Sequence, residues 1–460
     1  MNDTDLLVLG AGPAGLGAAY RAAQAGHDVI VLERESRVGG AAGSFDIAGL
    51  RVDHGSHRLH RAIDARILTD LRKLLGDDLQ TRERRGRIRL AGRWVAFPPN
   101  PLDLATSLPP TFVASLARDA VAAPFRRAAA DTFAEQIRAG LGPTMLERFY
   151  GPYARKLWGR EPDELSGEQA RVRVGANSIS SIVARLVGAE REERGRFLYP
   201  RRGFGQISEA LAAGAQSAGA KIELATTARA LRVSGDSLLV LTDDGEIAAR
   251  RVWSTIPLPV LARLWEGAPP DVVEHARALE TRAMVLVYLV LSRPRYTRYD
   301  AHYLPEAWTP VTRISEPKNY RDSDDDPAET TILCAEVPCQ VGDDHWDATP
   351  DELAAVVAAA LREADLPDPA VAQVEVRRLP SAYPIYERGY ADHVDALETW
   401  ANGIDRLLTF GRQGLFVHDN SHHALAMAYA AVDALDPHGG FDRDAWRRAR
   451  RSFRSHTVED

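Results

Sequence analysis

Leu6-Leu7-Val8-Leu9 is an uninterrupted apolar run, the pattern of a strand covered on both faces. It breaks at Gly10-Ala11-Gly12-Pro13-Ala14-Gly15 and resumes as Leu16-Gly17-Ala18-Ala19-Tyr20-Arg21-Ala22-Ala23, which predicts a helix. A second strand, Val29-Ile30-Val31-Leu32, follows and ends in an acid, Glu33. Strand, glycine turn, helix and strand in that order predict a parallel βαβ unit.

Farther along, the break Phe97-Pro98-Pro99-Asn100-Pro101 opens an Ala-rich region that reads as helical up to about Val187. Asp131-Thr132-Phe133-Ala134-Glu135-Gln136-Ile137 and Met145-Leu146-Glu147-Arg148-Phe149-Tyr150 carry helical spacing within it. From Phe197 strand, helix and strand return. Ile207 to Ala218 predicts a helix, Lys221-Ile222-Glu223-Leu224 a strand, and Ala230 to Ile247 a hairpin turning at Asp243-Asp244-Gly245. Val252-Trp253-Ser254-Thr255-Ile256-Pro257 predicts a strand that re-enters the first layer. Strands near Met284–Leu291, Thr309–Ile314, Thr331–Val337 and Val371–Arg378 predict a second sheet. Leu407-Leu408-Thr409-Phe410-Gly411-Arg412 is again strand then glycine, before an Ala-rich helix from about His422 to Leu435.

The expected class is α/β (α+β overall), with a Rossmann-type cofactor domain assembled from the discontinuous segments 1–75, 195–265 and 385–460. Residues 76–194 are expected to form a helical cap, and residues 266–384 a substrate domain with a mixed or antiparallel sheet. At 460 residues the chain is too long for one core, which fits this division. A net charge of −7 argues against nucleic acid as a partner. The longest apolar stretch, Ala283 to Leu291, is strand-length, so no membrane span is expected, while peripheral membrane contact stays open. No basic segment precedes the first strand, and no signal peptide is expected. Cys334 and Cys339 form no disulfide framework and read as packing residues, which fits a cytoplasmic location. No metal-ligand cluster is apparent.

The βαβ context gives the glycines a chemistry. Gly10 allows a tight turn, Gly12 lets backbone N–H groups approach a pyrophosphate, and Gly15 lets helix and strand pack closely. The helix N-terminus favours the phosphates. Glu33 lies 18 residues beyond Gly15, placed to hydrogen-bond an adenosine ribose and to disfavour a 2′-phosphate. Arg34 follows it. Gly39-Gly40 can pass along a dinucleotide, Gly55-Ser56-His57 follows the strand Leu50-Arg51-Val52-Asp53, and the strand ending in Gly411 offers a second helix N-terminus for a flavin ring. Together these favour FAD over NAD. Cofactor contacts are therefore expected from Gly10, Gly12, Ala14, Gly15, Glu33, Arg34, Gly39, Gly40, Gly55, Ser56, His57, Gly411 and Arg412.

Several separated segments together resemble the FAD-containing amine oxidase and protoporphyrinogen oxidase superfamily, and more closely its UDP-galactopyranose mutase-like branch. Gly55-Ser56-His57-Arg58-Leu59-His60 is similar to the mutases' G-P-H-I-F-H, and Tyr153-Ala154-Arg155-Lys156-Leu157-Trp158-Gly159 to their Y-T-x-K-x-W-G. Leu198-Tyr199-Pro200-Arg201-Arg202-Gly203-Phe204-Gly205 resembles the P-x-x-G segment, and Val311-Thr312-Arg313-Ile314-Ser315-Glu316 resembles Y-T-R-I-x-E. Ala382-Tyr383-Pro384-Ile385 resembles Y-P-I, and Gly411-Arg412 the late G-R.

The resemblance implies that Arg313 and Arg173 grip a substrate pyrophosphate with help from Tyr383, guanidinium donors being matched to phosphate oxygens. For Arg173 a surface ion pair is the favoured reading. His57 and His60 flank the expected flavin face, or else satisfy nearby backbone groups. Where the mutases carry Y-x-Y-x-D, this chain has Phe416-Val417-His418-Asp419-Asn420-Ser421-His422-His423, so His418 replaces a pyrophosphate ligand and Asn420 an acid. His418, Asn420, His422 and His423 are expected to line the flavin edge, unless one of them caps the last helix. His57, His60, Arg313, Tyr383 and His418 are the candidate catalytic residues; Arg173, Arg313, Tyr383 and His418 are the candidate substrate ligands.

The leading expectation is an FAD-dependent oxidoreductase that moves a hydride between flavin N5 and a polar substrate that can carry negative charge: a sugar, a sugar nucleotide or a biosynthetic intermediate. NAD(P)H or O2 would be its electron partner. A redox-neutral mutase using reduced FAD as a nucleophile is the rival, and a non-catalytic, flavin-stabilised binding protein is the third class.

Overall fold

The protein is described from a computed structural model covering residues 4–97, 101–123, 126, 131–174, 195–436 and 439–458. The expected helical stretch from 175 to Val187 lies outside the described residues, as does the middle of the Pro-rich break.

The apolar runs behave as their patterning requires. Strand β1 (Thr4–Leu9) leads through the glycine turn into helix α1 (Pro13–Gln24), which returns to β2 (Val29–Leu32). Proline at the helix start supplies a ready-made φ where no donor is needed. β1 and β2 pair in parallel, and β1 also pairs in parallel with Gly245–Ser254. Lys221–Glu223 extends the β2 edge, and Leu407–Thr409 pairs in parallel with Gly245–Ser254. Segments from the beginning, middle and end of the chain thus share one sheet of seven described strands. The helices Gln206–Ser217 and Ser421–Asp433 pack against α1, where Gly17 sits beside Leu425 and Ala428.

The expected hairpin between Ala230 and Ile247 is instead a three-stranded meander, Ala228–Ser234, Ser237–Thr242 and Gly245–Ser254. A first turn at Gly235-Asp236, where Gly235 takes φ +57°, was overlooked, although Ser234-Gly235-Asp236-Ser237 carries the composition of a turn.

The second sheet runs in the order Val371–Pro384, Thr281–Leu291, Thr331–Cys339, Arg313–Ser315, Ala301–Tyr303, Gly86–Leu90, Arg93–Phe97. It is antiparallel except where Ala301–Tyr303 runs parallel to Gly86–Leu90. Two expectations change here. Strand pairing covers Arg313–Ser315 rather than Thr309–Ile314, because Pro310 has no N–H to give a ladder. Residues 79–97 are strands, so the segment 76–194 is not wholly helical. Cys334 and Cys339 are buried thiols on one strand of this sheet.

The helical layer starts where Thr132 and Glu135 form a reciprocal capping box for Phe133–Gly140. Phe133, Ile137, Leu157 and Trp158 close its core against Leu165 and Ile385.

Asp53, 4% exposed, joins these layers. Its carboxylate accepts from Ser44 Oγ (2.6 Å), Phe204 N (2.9 Å) and the Tyr199 hydroxyl, while its carbonyl accepts from the Tyr288 hydroxyl of the second sheet at 2.6 Å. Asp53→Ala would orphan three buried donors at once and should cost roughly 2–4 kcal/mol, against about 1 kcal/mol for Tyr288→Phe. Denaturant unfolding of the two variants checks this order.

Candidate functional site

Between the two sheets and the helical layer lies a continuous cavity of about 1250 Å³, with the glycine turn at one end and Tyr303 and Tyr383 toward the other. At the first end, Gly10 holds φ +100°. A Cβ on Gly15 would run into the Gly10 carbonyl, so helix and strand meet as expected. A Cβ on Gly12 would meet nothing within 4 Å, which leaves that backbone open to the cavity. The Glu33 carboxylate, at the end of β2, accepts from Ala11 N at 2.8 Å and Glu35 N at 3.0 Å and lines the cavity beside Arg34. Gly40 also lines it, while Gly39 sits behind the wall, donating its N–H to the Ala11 carbonyl.

At the other end, Gly55, Ser56, His57 and His60 line the wall. The His57 Nε2–H donates to the His54 carbonyl at 2.9 Å, which leaves Nδ1 as the proton-accepting nitrogen. Burial holds this ring below the usual histidine range, and so neutral. His60 has the opposite tautomer: its Nδ1 accepts from Ala62 N at 3.1 Å, so Nε2 carries the hydrogen.

Arg313 lines the cavity, but its guanidinium is already engaged. It lies opposite Glu336 across the strand pair and holds both carboxylate oxygens, at 2.7 and 2.9 Å from Nη2. Glu336 also accepts from Ser56 N at 3.0 Å. Burial works against the charge of Arg313, and Glu336 with the nearby tyrosines more than offsets it, so the side chain is held charged. The sequence reading missed Glu336. Its signal was there: the single charged residue in the apolar strand Thr331–Cys339 must find a buried partner.

Two further arginines gather nearby. Arg58 reaches Asp300 (3.1 Å) and the hydroxyls of Tyr320 (3.0 Å) and Tyr303 (3.3 Å). Arg84 donates to the same Tyr303 hydroxyl at 3.2 Å. The arginines from 82 to 87 diverge. Arg82 pairs with Asp322 outside, Arg84 turns to the cavity, and Arg87 stacks between Trp94 and Tyr299.

The late segment forms the remaining wall. Gly411 and Arg412 line it, and a Cβ on Gly411 would press on Ala14 at 2.9 Å. Arg412 and Arg173 stand over the Tyr383 ring at 5.2 and 5.3 Å. Arg173 thus lines the cavity, where a surface ion pair had been the favoured expectation. Asn420 caps the helix Ser421–Asp433 and also lines the wall. His418 does not reach it. This side chain is 1% exposed, hydrogen-bonded to Gln169 and packed against Tyr386, and burial together with the charges of Arg173 and Arg412 keeps it neutral. His422 is likewise behind the wall, its ring 4.0 Å from that of His423. His418, expected at the flavin edge and as a substrate ligand, is instead a packed core residue.

The profile of the family described as flavin containing amine oxidoreductase matches residues 13–423. Among curated proteins, "Putative flavin-containing monoamine oxidase AofH" of two Mycobacterium tuberculosis strains is 28% identical over 270 residues, or 55% of this chain. The chain spans 57% of the length of those relatives. Among solved structures, a reduced UDP-galactopyranose mutase superposes with a TM-score of 0.81 at 19% identity, covering 99% of this chain and 100% of that one. Cyclohexylamine oxidase from Brevibacterium oxydans IH-35A gives 0.64 at 16% identity, covering 94% and 100%. These likenesses establish the fold.

FAD, the flavin cofactor of the family, fits the cradle: open backbone at Gly12, an acid at the end of β2, and a cavity continuous to Arg412. Gly15→Val, which overlaps the Gly10 carbonyl, should yield folded protein whose flavin absorbance per chain is about a tenth of wild type or less. Visible spectra of desalted protein, with circular dichroism to confirm folding, measure it.

Proposed function

From its place in the flavin-containing amine oxidoreductase family, to which this chain belongs, we propose that the protein is an FAD-dependent oxidoreductase acting on a polar, anionic substrate. One observation carries the reading. Eleven arginines but four carboxylates line the cavity, and neither Arg84 nor Arg412 has a carboxylate within ion-pair distance among the described residues. Burial depresses the pKa of Arg412, whereas Glu336 helps to raise that of Arg313. Cationic groups withdrawn from water without a counter-ion are costly, and an anionic ligand removes that cost. A protonated amine would meet the same field as repulsion, so the amines that give the family its name are disfavoured here.

FAD, when bound, supplies a two-electron acceptor or donor of hydride. The residues that would hold it are Gly10, Gly12, Glu33 and Arg34 at one end, and Gly55, Ser56, Gly411, Arg412 and Asn420 toward the other. Arg84, which has no carboxylate partner among the described residues, binds the substrate anion beside the Tyr303 hydroxyl that it shares with the Asp300-paired Arg58. Glu336 keeps Arg313 pointing along its strand pair and simultaneously fixes Ser56, so the two cavity walls hold register. His57 accepts a proton at Nδ1, and His60 donates a hydrogen bond from Nε2. Tyr383, flanked by Arg173 and Arg412, positions the substrate's polar groups.

The rival mutase reading loses support from the placement of His418, which cannot serve as a pyrophosphate ligand from behind Tyr383. Dithionite-reduced protein should leave UDP-galactose unchanged; ring contraction without net electron transfer would reverse the choice. Inorganic pyrophosphate should perturb the flavin spectrum of the holoenzyme, and Arg84→Met should weaken that binding roughly 10–100-fold, the scale of one charged hydrogen bond. Rapid anaerobic flavin reduction by putrescine, with no response to pyrophosphate, would overturn the anionic assignment.

A further inference from the structure

Beside the late segment, three side chains from two distant parts of the chain converge outside the chemistry above. Asp419 precedes the helix Ser421–Asp433, His423 lies in its first turn, and His456 follows the terminal helix Arg443–Phe453. His456 Nδ1 is 2.9 Å from Asp419 Oδ2, and His423 Nδ1 is 3.6 Å from Asp419 Oδ1. All three ligand atoms lie within 4.8 Å of one another. The carboxylate is 4% exposed and the imidazoles 13% and 17%.

The tautomer of His423 makes this arrangement informative. Its Nδ1 accepts the Asn420 N–H at 3.3 Å, so that nitrogen carries no hydrogen and cannot donate to Asp419. His423 Nδ1 and Asp419 Oδ1 therefore face each other with no hydrogen between them, and His456 Nδ1 completes a triangle; a metal there takes the Nδ1 lone pair from Asn420 N and displaces the proton shared by His456 Nδ1 and Asp419 Oδ2. Four-coordinate zinc with bonds of about 2.0–2.1 Å sets neighbouring ligand atoms about 3.3 Å apart, which falls between the 2.9 and 3.6 Å found here.

We propose that Asp419, His423 and His456 form a zinc-type metal site that clips the C-terminal segment to the start of the helix Ser421–Asp433. The clip has a position that matters. Two residues beyond His456, Val458 donates its N–H to the Val172 carbonyl at 2.9 Å, and Val458 and Asp419 both line the cavity. Metal at this site fixes the terminal segment as part of the cavity wall next to Arg173. The residues are spaced i, i+4 and then 33 positions on, which is why no local cysteine or histidine motif announces them.

The test uses the full chain, stripped with a chelator, desalted and titrated with zinc chloride against a chromophoric competitor. One zinc per chain is expected, with affinity reduced at least about tenfold in His456→Ala and in His423→Ala, and unchanged in His345→Ala. His456 lies beyond the last helix, so its variant remains informative if His423→Ala, which also loses a cap contact, fails to fold. Zinc should also raise the melting temperature of the wild type and not that of His456→Ala. Wild-type protein that takes up no zinc, or zinc binding that survives intact in His456→Ala, overturns the proposal and leaves His456 and Asp419 as a hydrogen-bonded pair.

Discussion

Positive charge held away from water is the constraint on which the cavity depends. A guanidinium keeps its proton under almost any circumstances, so a buried arginine must be answered by an anion, a hydroxyl, a carbonyl or an aromatic face. Among the described residues five of the eleven cavity arginines have a carboxylate partner, Arg34, Arg229 and Arg377 toward solvent and two in the interior, Arg313 with Glu336 and Arg58 with Asp300. Among the described residues Arg84 and Arg412 are met by neutral partners, the Tyr303 hydroxyl and the Ala382 carbonyl with the faces of Phe97 and Tyr383. The field of the cavity is set by this imbalance, and so is the sign of the ligand it selects.

The same interactions tie the layers together. Glu336 belongs to the second sheet yet accepts the N–H of Ser56, which follows a strand of the cofactor side. Asp53 does the reverse, holding Tyr199 and Phe204 with its carboxylate and Tyr288 of the second sheet with its carbonyl. From the helical layer, Lys156 donates to the carbonyls of Leu304 (2.6 Å) and Val311 (3.2 Å), just before Arg313. Burial pushes this amine down to about 7, so charge and structure are coupled there too. Each wall of the cavity is thus held by a polar group whose loss would leave an orphan in another layer.

Legibility followed the range over which each feature is encoded. The glycine turn was readable because its requirements are local: a positive φ at Gly10, and no room for a side chain on Gly15. The turn at Gly235-Asp236 was equally local, signalled by Ser234-Gly235-Asp236-Ser237, and was passed over in favour of the stronger Asp243-Asp244-Gly245. Arg313 was expected to grip a substrate pyrophosphate; it lines the cavity, but its engagement with Glu336 depends on the register of two strands separated by a long loop. His418 was placed at the flavin edge by position in a motif; the polar partner that draws it inward, Gln169, comes from the helical layer.

The chain's own order of residues determined the βαβ cofactor cradle, the discontinuous return of later strands to it, and the neutral packing role of the two cysteines. These follow from apolar periodicity and backbone sterics, which act among neighbours or along single strands. Only the tertiary structure decided which arginines are neutralised, which histidines face the cavity, and that Asp419 and His423 meet His456. Charge compensation and ligand geometry are properties of side chains brought together across layers, and nothing in linear spacing specifies their distances.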